Sequence, residues 1–110
     1  MTANEVITGL LNGSTCIEIR DISEEDTETI SEFVEDNGIY PWNDSPMIEW
    51  IKRLKIEGYA YIFCNDEGVL DATGKPVCDE VVNAGLFAGI INAETESDAV
   101  SAEDFDSVLN

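Results

Sequence analysis

The sequence predicts an α+β fold: a small single domain in which three or four helices pack on a short, mainly antiparallel sheet. Helical and strand-like patterns of apolar residues follow each other along the 110 residues, without the regular strand–helix–strand rhythm of a parallel α/β protein. Hydrophobic residues make up 44% of the chain, which is enough for a core. No repeat or linker divides the chain. Residues 1–110 are therefore expected to form one acidic domain, with residues 93–110 as a loosely packed acidic tail helix.

The first third of the chain predicts a helix, a strand and a second helix. Apolar residues on one side of Ala3–Leu11 predict a short amphipathic helix. Residues 15–20 alternate in the manner of a half-buried strand. Ser23 is a good N-cap, and three acidic residues follow it where the helix dipole favours anions. A helix is therefore expected from Ser23 to a stop at Gly38.

The middle of the chain predicts a helix and a hairpin. Ser45 followed by Pro46 is typical of a helix start, with Ser45 as the cap, and apolar residues recur at helical spacing up to Gly58. Residues 59–64 are rich in aromatic and β-branched residues and predict a strand. The turn residues that follow indicate a hairpin whose return strand begins at Val69.

Residues 77–91 are ambiguous in the sequence. Their apolar residues fit a helix moderately well, but Gly85 and Gly89 are poor residues for a helix interior. We therefore favour a buried strand over residues 86–91, followed by a polar loop and a short last helix that begins at Ser101.

Net charge sets this chain apart. It has 24 Asp and Glu against 5 Lys and Arg, which gives a formal charge of −19 and a pI near 4.1. Such an excess raises solubility and attracts cationic partners, but it destabilises the fold by self-repulsion. Three explanations stay open: solubility alone, a high-salt habitat, or a positively charged partner.

The cysteines and the N-terminal residues favour a cytoplasmic location. Three Cys, an odd number without a CxxC pair, argue against a disulfide framework and for a reducing compartment. The first residues lack the basic and apolar segments of a signal peptide. No apolar run is long enough to span a bilayer, and an anionic membrane surface would repel the chain, so we expect no membrane partner.

The leading candidate site is an acidic face on the helix that follows Ser23. Its carboxylates recur every three or four residues opposite Ile30 and Phe33, at intervals of roughly 5–6 Å that resemble those of phosphates along a DNA strand. Such a row could occupy the cationic channel of a nucleic-acid-binding protein. The alternative is an ordinary solvated helix face. The predicted contacts are Glu25, Glu28, Glu32, Glu35 and Asp36, assisted by Glu24 and by Glu103 and Asp104 of the tail.

Tyr40 and Trp42 form a second candidate contact site. They flank a proline in a connection, and exposed aromatic residues often dominate interfaces. The alternative is that both rings cover the core.

The basic cluster of Lys52, Arg53 and Lys55 is too small to bind nucleic acid directly. We expect these side chains to pair with nearby carboxylates such as Glu49 and Glu57. The alternative is a homodimer contact with the acidic face of a second copy.

The sequence shows no residue pattern typical of catalysis or metal binding. There is no His to ligate zinc or to activate a cysteine nucleophile. Residues 66–71 do not meet the calcium-loop pattern, and residues 72–76 place Pro where a phosphate-binding loop needs Ser or Thr. We expect no catalytic residue, no metal and no cofactor, and hence a binding protein rather than an enzyme.

In size, charge and lack of catalytic residues, the chain resembles the small acidic proteins that phages and mobile elements encode against host defences. These include DNA-mimic anti-restriction and anti-CRISPR inhibitors. The likeness is one of overall character and no motif carries it, so no functional residue is transferred from it. It implies an inhibitor that covers a basic surface of a host protein. The rival expectation is a general interaction or accessory module, with acidity serving solubility and an apolar patch near Tyr40 and Trp42 making the contacts.

Overall fold

In a computed structural model of the protein, residues 1–95 are described, and they form four helices and a four-stranded mixed sheet. The predicted α+β class is therefore confirmed. In chain order the elements are α1 (Ala3–Leu11), β1 (Thr15–Glu18), α2 (Glu24–Asp36), α3 (Met47–Glu57), β2 (Tyr61–Cys64), β3 (Leu70–Thr73), β4 (Glu80–Asn83) and α4 (residues 84–95).

The strands are arranged in the order β3-β2-β1-β4. The pairs β2–β3 and β1–β2 are antiparallel, and the first of them is the predicted hairpin. The pair β1–β4 is parallel and aligns Ile17 with Val82. A parallel pair needs a long crossover, which the elements between β1 and β4 supply.

One face of the sheet packs against the helices. Ile17, Ile62 and Val82 point to this side and join a core to which all four helices contribute. Cys16 and Tyr61 belong to the opposite side, where they form a smaller cluster with the partly buried Phe63 and Cys78. The protein is thus built of two layers, because successive strand residues alternate between the faces.

Both ends of α2 are defined by local interactions. The Ser23 hydroxyl accepts a hydrogen bond from the Asp26 amide at 3.0 Å, as the N-cap prediction requires. At the other end the Gly38 amide donates to the Glu35 carbonyl at 2.9 Å, and Gly38 has a φ of 75°. Glycine adopts this left-handed conformation at little cost, so the helix stops where the sequence predicts.

The strand predicted over residues 86–91 is wrong, because this segment lies within α4. Asn83 caps the helix: its side-chain oxygen accepts the amides of Gly85 at 2.9 Å and Leu86 at 3.4 Å. Gly85 therefore lies in the first turn, and a side chain at Gly89 would meet nothing within 4 Å. Phe87 and Ile91, four residues apart, are buried while Leu86 is exposed, which is the pattern of an amphipathic helix.

Ser45 is not the cap of α3, contrary to the prediction. Pro46 occupies the N-cap position and makes no side-chain capping bond, so the helix proper begins at Met47. The Ser45 amide instead donates to the side chain of Asn43 at 3.1 Å.

The predicted helix from Ser101 lies outside the described residues. Within residues 1–95, no helix combines the length and the apolarity that crossing a membrane requires.

Candidate functional site

α2 presents the predicted carboxylates on the side away from the core. It buries Thr27, Ile30 and Val34, and the acidic residues occupy the remaining surface. In this group only Glu35 is half-buried. The others are exposed: Glu24, Glu25, Glu28, Glu32 and Asp36. We call these six residues the α2 acidic face. Glu103 and Asp104, the predicted contributions of the tail, lie outside the described residues.

Little positive charge offsets the α2 acidic face. Within residues 1–95, one ion pair is closer than 4 Å: Lys52 Nζ lies 3.8 Å from Glu24 Oε1. Both side chains are at least half exposed, and such surface pairs contribute about 0–1 kcal/mol. The carboxylates of Glu25, Glu28 and Glu32 are therefore left without a cationic partner in the described part of the chain.

Two residues of the basic cluster, Lys52 and Lys55, contact α2 and the segment just before it rather than the predicted partners Glu49 and Glu57. Lys52 pairs with Glu24. Lys55 Nζ donates to the backbone carbonyl of Ile22 at 2.6 Å, just before α2. In the described residues the cluster makes no ion pair with Glu49 or Glu57, so the expectation of pairing holds for Lys52 but with another carboxylate.

A groove runs beside the α2 acidic face. Glu32 and Asp36 border a space of about 310 Å³ between α2 and α4, together with Phe33 and Ile91. Phe33 also packs edge-to-face on Phe87 of α4, with ring centroids 5.9 Å apart. This aromatic pair holds α2 against α4 and fixes the backbone that carries the carboxylates.

Glu94, which the sequence places in the acidic tail, makes a contact at the start of α1. Its two carboxylate oxygens lie 3.2 and 3.4 Å from the Ala3 amide nitrogen and accept its hydrogen. An anion at a helix N-terminus is favoured by the free amides and the dipole. Glu94 thus ties α4 to α1 and is more than a solubilising charge.

Tyr40 and Trp42 both lie at the surface. They are 46% and 61% exposed, whereas Pro41 between them is buried. The Tyr40 carbonyl accepts the amide of Leu70, and the Trp42 amide donates to the Leu70 carbonyl, both at 2.9 Å. The segment therefore runs along the edge strand β3 and holds an exposed tryptophan on ordered backbone.

Trp42 forms one wall of a cleft of about 470 Å³ between α3 and β3. Tyr59 and Trp50 also line it, and Trp50 is buried, as its helical spacing predicts. Three charged side chains also border the cleft: Arg53, Glu57 and Asp71. The sequence did not predict this cleft, because Trp42 and Asp71 are distant in the chain from Arg53 and Glu57 of α3 and come near them only through the tertiary fold.

Two of the thiols, those of Cys64 and Cys78, have a raised pKa. Burial raises the pKa of the Cys64 thiol above its ordinary value. Burial also raises the pKa of Cys78, with further contributions from the neighbouring Cys16 and Asp79. A raised pKa lowers the thiolate fraction at neutral pH, so these cysteines are poor nucleophiles there. Over residues 1–95, no group of three Asp, Glu or Cys side chains is placed to hold a metal ion.

Comparisons of the chain with protein-family models, with curated proteins and with solved structures found no match, so its functional assignment depends on its own residues.

Proposed function

We propose that this protein is an acidic inhibitor that occupies a positively charged nucleic-acid-binding surface of a partner protein. The α2 acidic face supports the proposal: its six carboxylates share one side of a helix, all but Glu35 are exposed, and in the described residues all but Glu24 lack an ion-pair partner. The partner would be a basic, nucleic-acid-binding protein of a host cell, met in the host cytoplasm. The protein itself would bind neither nucleic acid nor membranes and would catalyse no reaction.

The physical basis is replacement of phosphates by carboxylates. Neighbouring side chains on a helix face lie roughly 5–6 Å apart, so α2 can offer several anions in a row to Lys and Arg side chains that otherwise contact phosphates. Ser23 and Gly38 fix the ends of α2, and the Phe33–Phe87 pair holds it on α4. Anions held on ordered backbone lose less freedom on binding than anions on a flexible chain.

A salt-resolved pull-down tests the proposal. The tagged protein is exposed to host-cell lysate at low salt and eluted with a salt gradient, because binding dominated by charge weakens steeply as salt rises. We expect a basic nucleic-acid-binding protein to elute with salt, and added duplex nucleic acid to displace it from the column. If affinity for the captured protein is the same at low and high salt, the proposal is wrong.

Charge reversal on α2 identifies the surface used. Glu28→Lys with Glu32→Lys should abolish capture while the circular dichroism spectrum stays that of the folded protein. The matched control is Asp66→Lys with Glu67→Lys, which makes the same change of charge in the exposed turn after β2. Equal loss in both variants would mean that net charge, rather than the α2 acidic face, drives binding.

The exposure of Tyr40 and Trp42 favours a second candidate function, a general interaction module that binds through an apolar patch. Acidity would then serve solubility. In that case capture of the partner would persist at high salt. It would be lost in the Trp42→Ala variant but kept in the variant with Glu28→Lys and Glu32→Lys.

A further inference from the structure

The cleft between α3 and β3 combines aromatic rings with carboxylates. Trp42 and Tyr59 are 61% and 40% exposed, and the buried Trp50 is a third aromatic residue at the cleft. Glu57 and Asp71 border the same space of about 470 Å³. This volume lies within the range of small-ligand sites, about 300–1,000 Å³.

The walls of the cleft are set before any ligand arrives. The Trp42 amide donates to the Leu70 carbonyl at 2.9 Å, and the Tyr59 amide donates to the Leu54 carbonyl at 3.0 Å. Asp71 Oδ1 accepts the amide of Ala72 at 2.8 Å, which orients that carboxylate. A site with ordered walls binds with a smaller entropic cost.

The charge in the cleft is available to an external cation. Arg53 also lines it, but in residues 1–95 the one ion pair closer than 4 Å joins Lys52 and Glu24. Arg53 therefore makes no ion pair with Glu57 or Asp71, and the cleft is lined by two acidic residues and one basic residue. The cleft has a local excess of negative charge within a chain of net charge −19.

We propose that this cleft receives the side chain of an arginine from a protein partner. A guanidinium stacks on aromatic faces, best on tryptophan, and its planar fork matches carboxylate geometry. The inference relies on the proposed function in one respect, that the partner is basic. It uses none of the residues of the α2 acidic face, so each can fail without the other.

The test is a titration of the intact protein with N-acetyl-arginine amide, followed by tryptophan fluorescence. Both tryptophans of the chain line the cleft, so the signal reports on this site. We expect a saturable change with the arginine probe and none with the citrulline analogue, which has a similar shape but no charge. The variant with Glu28→Lys and Glu32→Lys should change the dissociation constant of the arginine probe by less than about twofold, since these residues lie outside the cleft.

Variants of the cleft assign the contacts. Glu57→Gln with Asp71→Asn should weaken binding about tenfold or more, the loss expected for charge-assisted hydrogen bonds. Asp66→Asn with Glu67→Gln removes the same charge in the turn after β2 and should weaken it by less than about twofold. Trp42→Ala should weaken binding of the arginine probe about threefold or more, and the fluorescence of the remaining Trp50 measures this change.

Three results would overturn the inference. One is the absence of a saturable response to the arginine probe, and another is an equal response to citrulline. The third is saturation by N-acetyl-glutamate amide instead, which would make the cleft an anion site centred on Arg53.

Discussion

Ser31 lies on the buried side of α2, and its hydroxyl has no hydrogen-bond partner in the described part of the protein. A buried hydroxyl without a partner loses its hydrogen bonds to water and gains none in return. Two residues of the same helix behave differently: Ser23 caps the N-terminus, and the Thr27 hydroxyl donates to the Ser23 carbonyl at 2.7 Å. At the scale of single residues, α2 therefore contains one polar group that opposes its stability.

We expect Ser31→Ala to raise the free energy of unfolding by about 1 kcal/mol, because it removes the unsatisfied hydroxyl and improves helix propensity. Urea denaturation followed by circular dichroism measures the change. Thr27→Ala is the matched control, since Thr27 is also buried on α2 but is hydrogen-bonded, and it should destabilise the protein. A Ser31→Ala variant less stable than the parent would show that the hydroxyl is satisfied in solution.

At the scale of elements, Gly9 of α1 and Gly89 of α4 differ in their surroundings. A Cβ on Gly9 would lie 2.1 Å from Thr15 Oγ1 and 2.8 Å from Thr15 Cβ, so α1 and β1 approach each other closely only because residue 9 lacks a side chain. A Cβ on Gly89 would meet nothing within 4 Å. Gly9 is therefore required by packing, whereas Gly89 only weakens α4.

Alanine at these two positions should change stability in opposite directions. Gly9→Ala is expected to destabilise the protein by about 1–3 kcal/mol through overpacking against Thr15. Gly89→Ala should stabilise it by about 0.5–1 kcal/mol through helix propensity. Thermal unfolding of both variants measures the two shifts. Equal shifts of the same sign would contradict the close contact between α1 and β1.

The helices whose bounds the sequence predicts correctly have capping residues or glycines close to their ends. α1 and α2 begin and end as predicted, because the N-cap of α2 and the glycine after it act within a few residues. For residues 86–91 the two glycines of α4 favour a strand although a helix also fits, and Asn83 is recognisable as the cap only if β4 is known to end there. The parallel pairing of β1 with β4 joins segments more than 60 residues apart in sequence, so no local pattern predicts it.

The same distinction applies to the candidate sites. The α2 acidic face could be predicted because one helix and its 3.6-residue period place all its members. The cleft could not, because Trp42, Glu57 and Asp71 come together only once the segment around Pro41 runs along β3. The basic cluster was identified, but its partners Glu24 and Ile22 depend on the packing of α2 against α3.

At the scale of the whole molecule, self-repulsion is the main cost of this composition. The net charge of −19 is far from the magnitude of about 2–8 that suits a small domain. On α2, Glu28 lies one helical turn from Glu24 and from Glu32, and each like-charge pair of this spacing costs about 0.2–0.5 kcal/mol. A function that needs these carboxylates would therefore hold the protein below the stability that its fold could reach.

Glu28→Lys should reveal that cost. It replaces two repulsive pairs by two attractive ones, so we expect the free energy of unfolding at low salt to rise by about 1 kcal/mol. The parent protein should gain stability as NaCl rises from about 0.02 to 0.5 M, because the Debye length shortens over this range, and the variant should gain less. Urea denaturation at each salt concentration measures both effects. Glu67→Lys, in the exposed turn after β2, controls for the change in net charge. If Glu28→Lys and Glu67→Lys are stabilised equally, repulsion is spread over the whole surface and is not concentrated on α2.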